Sequence, residues 1–259
     1  MRILVTGAGG YLGSEVCAQA EAHGLDVVAA RLRSPAPHGH AVQLDLRDDD
    51  AVHRVFLEHG PDVVVHTAYR QAEELLRGDV VCATRNVADA ADRVGARLVH
   101  LSTDLVFDGE RGAPYTEDAE PRPISAYGQA KLEAEQLVSR HAGAVIVRTS
   151  LLYGKPGPQE TLAAREGATF YVDEIRCPTR VDELAAALLE LAGADVAGVL
   201  HLAAPDAVSR FELAELLGAA NPVAAPTPPG RARNVALDSS RAGAFLAARL
   251  TGIRALLHS

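Results

Sequence analysis

The chain has 259 residues, 48% of them hydrophobic and 23% charged, a balance that fits a soluble globular protein and not a disordered or low-complexity one. Its 34 acidic against 25 basic side chains leave a net charge of −9, which argues against a nucleic-acid or anionic-membrane surface but leaves room for basic groups lining a pocket. Cys17, Cys82 and Cys177 are odd in number and far apart, so they read as buried free thiols and not as a disulfide framework or zinc site. No apolar run reaches ~18 residues, and the first residues pass directly into Arg2-Ile3-Leu4-Val5 without a leader pattern, so a cytoplasmic location is expected.

Arg2 to Thr6 reads as a first strand, and it runs into Gly7-Ala8-Gly9-Gly10-Tyr11-Leu12-Gly13 before a helical pattern that lasts to about His23. The spacing of Gly7, Gly10 and Gly13 allows a tight turn, a close approach of backbone to a pyrophosphate and close helix-to-strand packing. The amides around Tyr11 and Leu12, at the helix N-terminus, would hold the anion. The motif's place between a strand and a helix makes it a dinucleotide-binding candidate. A second strand, Asp26 to Ala30, ends in Arg31-Leu32-Arg33-Ser34, with no carboxylate there to hold a ribose 2′-hydroxyl. Arg31 and Arg33 are therefore expected to clamp a 2′-phosphate, favouring NADPH with NADH as the alternative; the bland reading is a pair of solvated loop charges.

Ala41 to Leu44 suits a third strand, and Asp45-Leu46 follow it. Asp45 is placed either to accept from an adenine amino group or to cap the next helix, Asp48 to His59. Asp62 to His66 is the continuous apolar run that a buried parallel strand requires, and Thr67-Ala68-Tyr69 at its end would line the cofactor. His66 itself reads as a hydrogen-bonded strand-end histidine. A helix over about Glu73 to Val94 precedes a strand, Arg97 to Leu101, and then Ser102-Thr103-Asp104, whose Thr103 hydroxyl lies where open α/β sheets place ligands. The polar, proline-bearing loop from Val106 to Pro123 is long enough to fold over such a site.

In Ser125-Ala126-Tyr127-Gly128-Gln129-Ala130-Lys131, the residues Tyr127 and Lys131 stand one helical turn apart, about 5–6 Å at their Cβ atoms. A phenol titrates near ~10 by itself, and a neighbouring ammonium is expected to lower that value toward what a general acid needs. The same spacing also occurs in ordinary amphipathic helices. Further on, helices are expected at Val181 to Gly193, Phe211 to Ala219 and Ser239 to Leu250, with a strand at Val199 to Leu202. The Pro-rich stretch Pro222 to Pro229 reads as a loop, and Arg231 and Arg233 just beyond it either meet a pyrophosphate or are solvated. No metal-ligand spacing and no nucleophile-elbow motif occurs.

Taken together, Gly7-x-x-Gly10-x-x-Gly13, Ser102-Thr103-Asp104-Leu105-Val106-Phe107-Asp108-Gly109, Tyr127-Gly128-x-x-Lys131 and Arg148-Thr149-Ser150-Leu151-Leu152-Tyr153-Gly154 resemble the extended short-chain dehydrogenase/reductases. Among these, the chain is most similar to the dTDP-4-dehydrorhamnose reductase family of sugar-nucleotide reductases, and Cys177-Pro178-Thr179, Gly198 to Ala203 and Leu237 to Arg241 continue the similarity over nearly its whole length. The resemblance implies an α/β fold, a Rossmann-type doubly wound parallel sheet at 1–150 with a smaller C-terminal α/β substrate lobe at 151–259 interleaved with the last sheet strands. It implies a catalytic set of Thr103, Tyr127 and Lys131, in which the tyrosine protonates a sugar ketone oxygen while a nicotinamide gives a hydride to the carbon. Lys131 would hold the nicotinamide ribose, and Thr103 would orient the carbonyl.

The implied substrate is a nucleotide-linked keto-sugar or a related small ketone, and a homodimer is compatible. Dehydratases of the wider superfamily usually carry Asp-Glu after the threonine; here Asp104-Leu105 follow, which favours net reduction. The chain departs from the family at Val80, in the turn His66 to Arg70, at Leu151 and in a shorter segment from Lys155 to Gly167. Two other readings remain: a non-catalytic dinucleotide-binding regulatory subunit like the beta subunit of methionine adenosyltransferase, and an epimerase or dehydratase that recycles bound NAD.

Overall fold

Ile3-Leu4-Val5, Val63-Val64-Val65 and Val145-Ile146-Val147 are apolar at every position, as strands covered on both faces must be. In the computed structural model, which describes residues 1–69, 76–154 and 156–258, all three lie within one parallel sheet. In chain order the first half forms β1 (Arg2–Thr6), α1 (Tyr11–Ala22), β2 (Asp26–Arg31), β3 (His40–Gln43), α2 (Asp49–His59) and β4 (Val63–His66). There follow α3 (Ala83–Val94), β5 (Arg97–Thr103), α4 (Ala126–Val138) and β6 (Val145–Thr149). In this half the expected strands are present with ends shifted slightly; β5 continues past Leu101 and terminates on Thr103 itself. Positions 70–75, which include the start of the helix expected from Glu73, lie outside the described residues; a π-type stretch at Arg77–Cys82 leads into α3.

Beyond β6 come the short pieces β7 (Leu152–Tyr153), α5 (Pro158–Ala163), β8 (Thr169–Tyr171), β9 (Ile175–Arg176) and β10 (Thr179–Arg180). The chain then returns to the sheet through α6 (Val181–Gly193) and β11 (Gly198–His201), before β12 (Val208–Ser209), α7 (Arg210–Leu216), β13 (Val223–Ala225) and α8 (Ser240–Gly243). The seven sheet strands run in the order β11-β6-β5-β4-β1-β2-β3, so the winding reverses between β1 and β4. In open parallel sheets such a reversal opens a crevice at the strands' carboxyl ends, where ligands bind.

Alternate residues of each strand supply two cores. Ile3, Val5, Val65, Val99 and Val147 face α1 and α6, packing on Val16, Ala20, Leu184 and Leu188. Leu4, Val64, Leu98 and Ile146 face the other way, onto Val52 and Phe56 of α2 and Val87 and Ala91 of α3. One expected helix is largely missing: of Ser239 to Leu250 only α8 is helical. The amides of Ala247 and Ala248 donate instead to the Glu190 carboxylate of α6, at 2.7 and 2.9 Å, and a helix could not leave both amides free to do so.

Candidate active site

The first turn after β1 is shaped for an anion. Gly7 has φ +72°, and the amide of Gly10 donates back to its carbonyl at 2.8 Å. A Cβ on Gly13 would lie 2.2 Å from that same oxygen, so only glycine lets α1 begin this close to β1. Gly10 caps α1 in extended backbone with no side-chain cap bond, leaving the first-turn amides around Leu12 turned to the crevice without a competing side chain. A pyrophosphate fits these groups by charge and by hydrogen-bonding capacity. Gly9 explains how the second arginine-bearing turn joins the site: a Cβ there would meet the carbonyl oxygens of Ser34 and Pro35 at 2.6 and 2.8 Å, so the segment after β2 closes directly over the glycine loop. Arg31 is half-buried and Arg33 exposed, and among the described residues neither guanidinium has a carboxylate partner.

The end of β4 is tied to the same loop. Thr67 Oγ1 donates to the Thr6 carbonyl at 2.8 Å, and the backbone of Ala68 packs on Gly7. This carries Tyr69 to the edge of the crevice. His66 accords with its bland reading: its two ring nitrogens meet Thr6 Oγ1 at 2.7 Å and Thr84 Oγ1 at 3.1 Å, and burial holds its pKa down to about 3. Of the two roles open to Asp45, helix capping falls to Asp48, whose carboxylate accepts from the Ala51 amide at 2.9 Å. Asp45 is paired bidentately with Arg47, and the adjacent Leu46 carbonyl accepts from Asn86 Nδ2 at 2.9 Å.

Across the crevice, Ser125 caps α4 by accepting from the Gly128 amide at 3.1 Å. The helix lies so close to the turn after β5 that a Cβ on Gly128 would stand 2.2 Å from the Leu105 carbonyl oxygen. Lys131, only 4% exposed, reaches down to donate from Nζ to the Leu101 carbonyl at 2.5 Å. Burial lowers its pKa to about 8 against the opposing pull of Glu135. Tyr127 departs from the sequence expectation. Its pKa is raised well above 10, first by burial, then by the neighbouring Tyr69 phenol and the Asp104 carboxylate, which favour the protonated form. The ammonium one turn away donates to the Leu101 carbonyl and does not offset these. In the substrate-free chain the phenol is thus firmly protonated at neutrality, the state a proton donor starts from.

Thr103 closes β5 with its hydroxyl accepting from the Leu105 amide at 3.2 Å and donating to Asp104 Oδ1 at 3.1 Å. Asp104 is 2% exposed, and both its oxygens are taken: Oδ1 by Arg176 Nη1 at 2.9 Å and Oδ2 by the Ser150 hydroxyl at 2.6 Å. Arg176 bonds also to Glu174, and Glu174 to Arg231, so a line of alternating charges runs from beside Tyr127 to the surface. Burial works against the Arg176 charge, but Asp104 and Glu174 outweigh it and its pKa is raised. Arg231 is therefore an ion-paired group over the Tyr171 ring at 5.2 Å, whereas Arg233 is exposed, 3.8 Å from Asp173. Sequence reasoning missed Arg176, Glu174 and the buried Glu135–Arg148 pair, 2.7 Å apart, which also binds Ser102. Only Arg148 and Ser150 carried a signal, as parts of a motif. Lys155 lies outside the described residues, but Gly157 in the same short segment packs against the Tyr11 ring, within 2.6 Å of its hydroxyl for a built Cβ.

A glycine turn at a sheet reversal, facing a helix that carries tyrosine and lysine one turn apart beside a strand-end threonine, defines an oxidoreductase of the extended short-chain dehydrogenase/reductase class. Residues 1–244 match the family described as RmlD substrate binding domain, and the chain belongs to that family. A dTDP-4-dehydrorhamnose reductase of Mycobacterium tuberculosis is 38% identical over 229 residues, covering 81% of this chain and 72% of the relative. The methionine adenosyltransferase 2 subunit beta of Bos taurus is 29% identical, covering 82% and 70%. Among solved structures, a dTDP-4-dehydrorhamnose reductase from Clostridium acetobutylicum superposes with a TM-score of 0.87 at 28% identity, covering 99% and 97% of the two chains. One from Bacillus anthracis in complex with NADP superposes at 0.84 and 29% identity, with the same coverage.

Proposed function

We propose that the protein is an NADPH-dependent reductase of a dTDP-linked 4-keto-sugar, soluble in the cytoplasm, with residues 1–150 holding the cofactor and 151–259 mainly framing the sugar nucleotide. The observation that carries this reading is the juxtaposition of a protonated Tyr127 with an Asp104 whose two oxygens are both occupied. A tyrosine ready to give a proton suits reduction. Elimination of water needs a carboxyl group free to act as acid, and Asp104, locked to Arg176 and Ser150, is not free. The names of the reductase relatives point the same way.

When bound, the nicotinamide cofactor supplies the hydride. Gly7, Gly10, Tyr11, Leu12 and Gly13 hold its pyrophosphate, Arg31 and Arg33 its 2′-phosphate, Asp45 and Leu46 its adenine end, and Thr67, Ala68 and Tyr69 line its path. Thr103 gives up its local bond to orient the keto oxygen, Tyr127 protonates that oxygen, and Lys131 fixes the ribose while its charge supports the phenolate left behind.

The test is loss of reduced-cofactor absorbance with NADPH and with NADH against a set of dTDP-4-keto-sugars. Tyr127→Phe is expected to lower turnover at least ~100-fold with NADPH affinity nearly unchanged, and Arg31→Ala with Arg33→Ala to weaken NADPH but not NADH. Binding of NADPH with no turnover on any sugar would overturn this reading in favour of a smaller ketone or a dinucleotide-binding subunit.

A further inference from the structure

Tyr127, Lys131 and Glu135 follow one another along one face of α4 at intervals of one turn. The first two belong to the proposed reaction; the third has had no part in it. Glu135 is buried, and its carboxylate accepts from the Ser102 hydroxyl of β5 and from Nε and Nη2 of Arg148 of β6, the latter two at 3.0 and 2.7 Å. Arg148 is buried as well, with its guanidinium 5.1 Å over the Phe107 ring. Ser102 directly follows Leu101, whose carbonyl receives the Lys131 ammonium. One helix is thus fastened to one strand at two neighbouring residues, by its cation at Leu101 and by its anion at Ser102.

The other groups packed around the lysine leave Glu135 as its counter-ion. From β4 and β5 come His66 and His100, with ring centroids 5.2 Å apart, and burial holds both rings neutral. The stretch before α3 brings Leu76, Val80 and Val81, while its Asp79 lies 3.8 Å from Arg47. From α3 the Thr84 hydroxyl meets His66, and from β6 comes a second cation, Arg148. Asp104, after β5, is taken by Arg176 and Ser150. Two buried cations therefore share one carboxylate. A buried ion pair holds a fold together no better than an apolar pair of the same size, so its position one turn from Lys131 is the informative feature. We propose that Glu135 is the positioning residue for Lys131: fastened to Ser102 and Arg148, it seats the ammonium against the Leu101 carbonyl and is the counter-ion that lets it stay charged there. For its kinetic consequence the proposal rests on the reductase reading above. Burial pulls the lysine down to about 8 and Glu135 works against that pull, so the same carboxylate sets the upper pH at which the ribose and the phenolate find a cation.

The chain has two lysines, Lys131 and Lys155, so in protein labelled at lysine Cε the carbon signal that remains in Lys155→Arg is that of Lys131. Its titration is followed by NMR in the substrate-free chain. Glu135→Gln keeps an oxygen to accept from Ser102 and Arg148 and removes the charge, and it should move the titration down by about one pH unit or more. An unmoved titration in the folded variant overturns the proposal whatever the enzyme reduces. Where Glu135→Gln does not fold, Glu135→Gln with Arg148→Gln removes the buried charges together; the lysine answers to Glu135 and not to Arg148, so its titration should again fall, and a wild-type value there overturns the proposal as well. With NADPH and a dTDP-4-keto-sugar, the alkaline limb of kcat should move down by the same interval as the lysine. A limb that stays in place while the lysine moves would overturn the role in the reaction. A wild type idle on every sugar, with the lysine still shifted by Glu135→Gln, would refute the sugar-nucleotide reading and leave the hold of Glu135 on Lys131 established.

Discussion

Lys131 shows how one buried residue sets opposite pH trends in activity and in stability. Its pKa is about 8 in the folded chain against 10.5 for an ordinary lysine. Because the folded state loses this proton first, the unfolded chain binds more protons between those two values, and stability rises with pH across that window. Below about 8 the buried charge is a constant cost to the fold. Catalysis by the proposed route needs that charge, so kcat is expected to fall as pH rises through about 8 while the melting temperature does not. The phenol does not set this limb, since Tyr127 ionises far higher. Arginine stays charged at any pH in question; Lys131→Arg should therefore remove the alkaline limb from whatever activity it retains. A limb left at the same pH would assign it to another group.

Between elements, the decisive contact is the seating of α4 on the turn after β5. Gly128→Ala would drive a methyl group into the Leu105 carbonyl, which a Cβ meets at 2.2 Å, and the helix must lift to relieve it. Tyr127 would then lose its register with Asp104 and Tyr69. A misplacement of ~1 Å is enough to cost about 100-fold in rate, so kcat should drop by that order while cofactor affinity at the glycine loop is kept. Full activity would mean that the turn yields, not the helix. The strands and most helices were legible in the sequence because strand alternation and helical period are local properties, read within a few residues of each other. The site was legible only where a motif named both partners. Asp104 could be seen but its lock could not, since Arg176 is 72 positions away. The raised Tyr127 pKa was likewise out of reach, because it depends on where Lys131 points and on Tyr69 closing from another strand. The failed helix at Ser239 to Leu250 has the same origin, a carboxylate from α6 that outbid the local period.

At the scale of the molecule, the sheet is completed by the second half of the chain. β11 pairs along β6, and α6 covers the same sheet face as α1, with Leu184, Leu188 and Leu191 buried there. A fragment of residues 1–150 would lack both, leaving Val99, Val145 and Val147 without their cover. It is expected to be insoluble or to show no protected amides in β6 by hydrogen exchange, whereas a fragment of 1–202 should protect them; a well-folded 1–150 fragment would show that the helix and last strand are dispensable. The detour between β6 and α6 has a consequence for the life of the chain before it is an enzyme. A ribosome makes it in order, N-terminal end first, at about 5–20 residues per second. For the seconds it takes to add the short strands and turns after Thr149, the nascent protein carries a nearly finished sheet with one side open and β6 as its bare edge. That interval is when it is most exposed to wrong pairing with a neighbour, and a chaperone that protects it would act there, before the last strand is made.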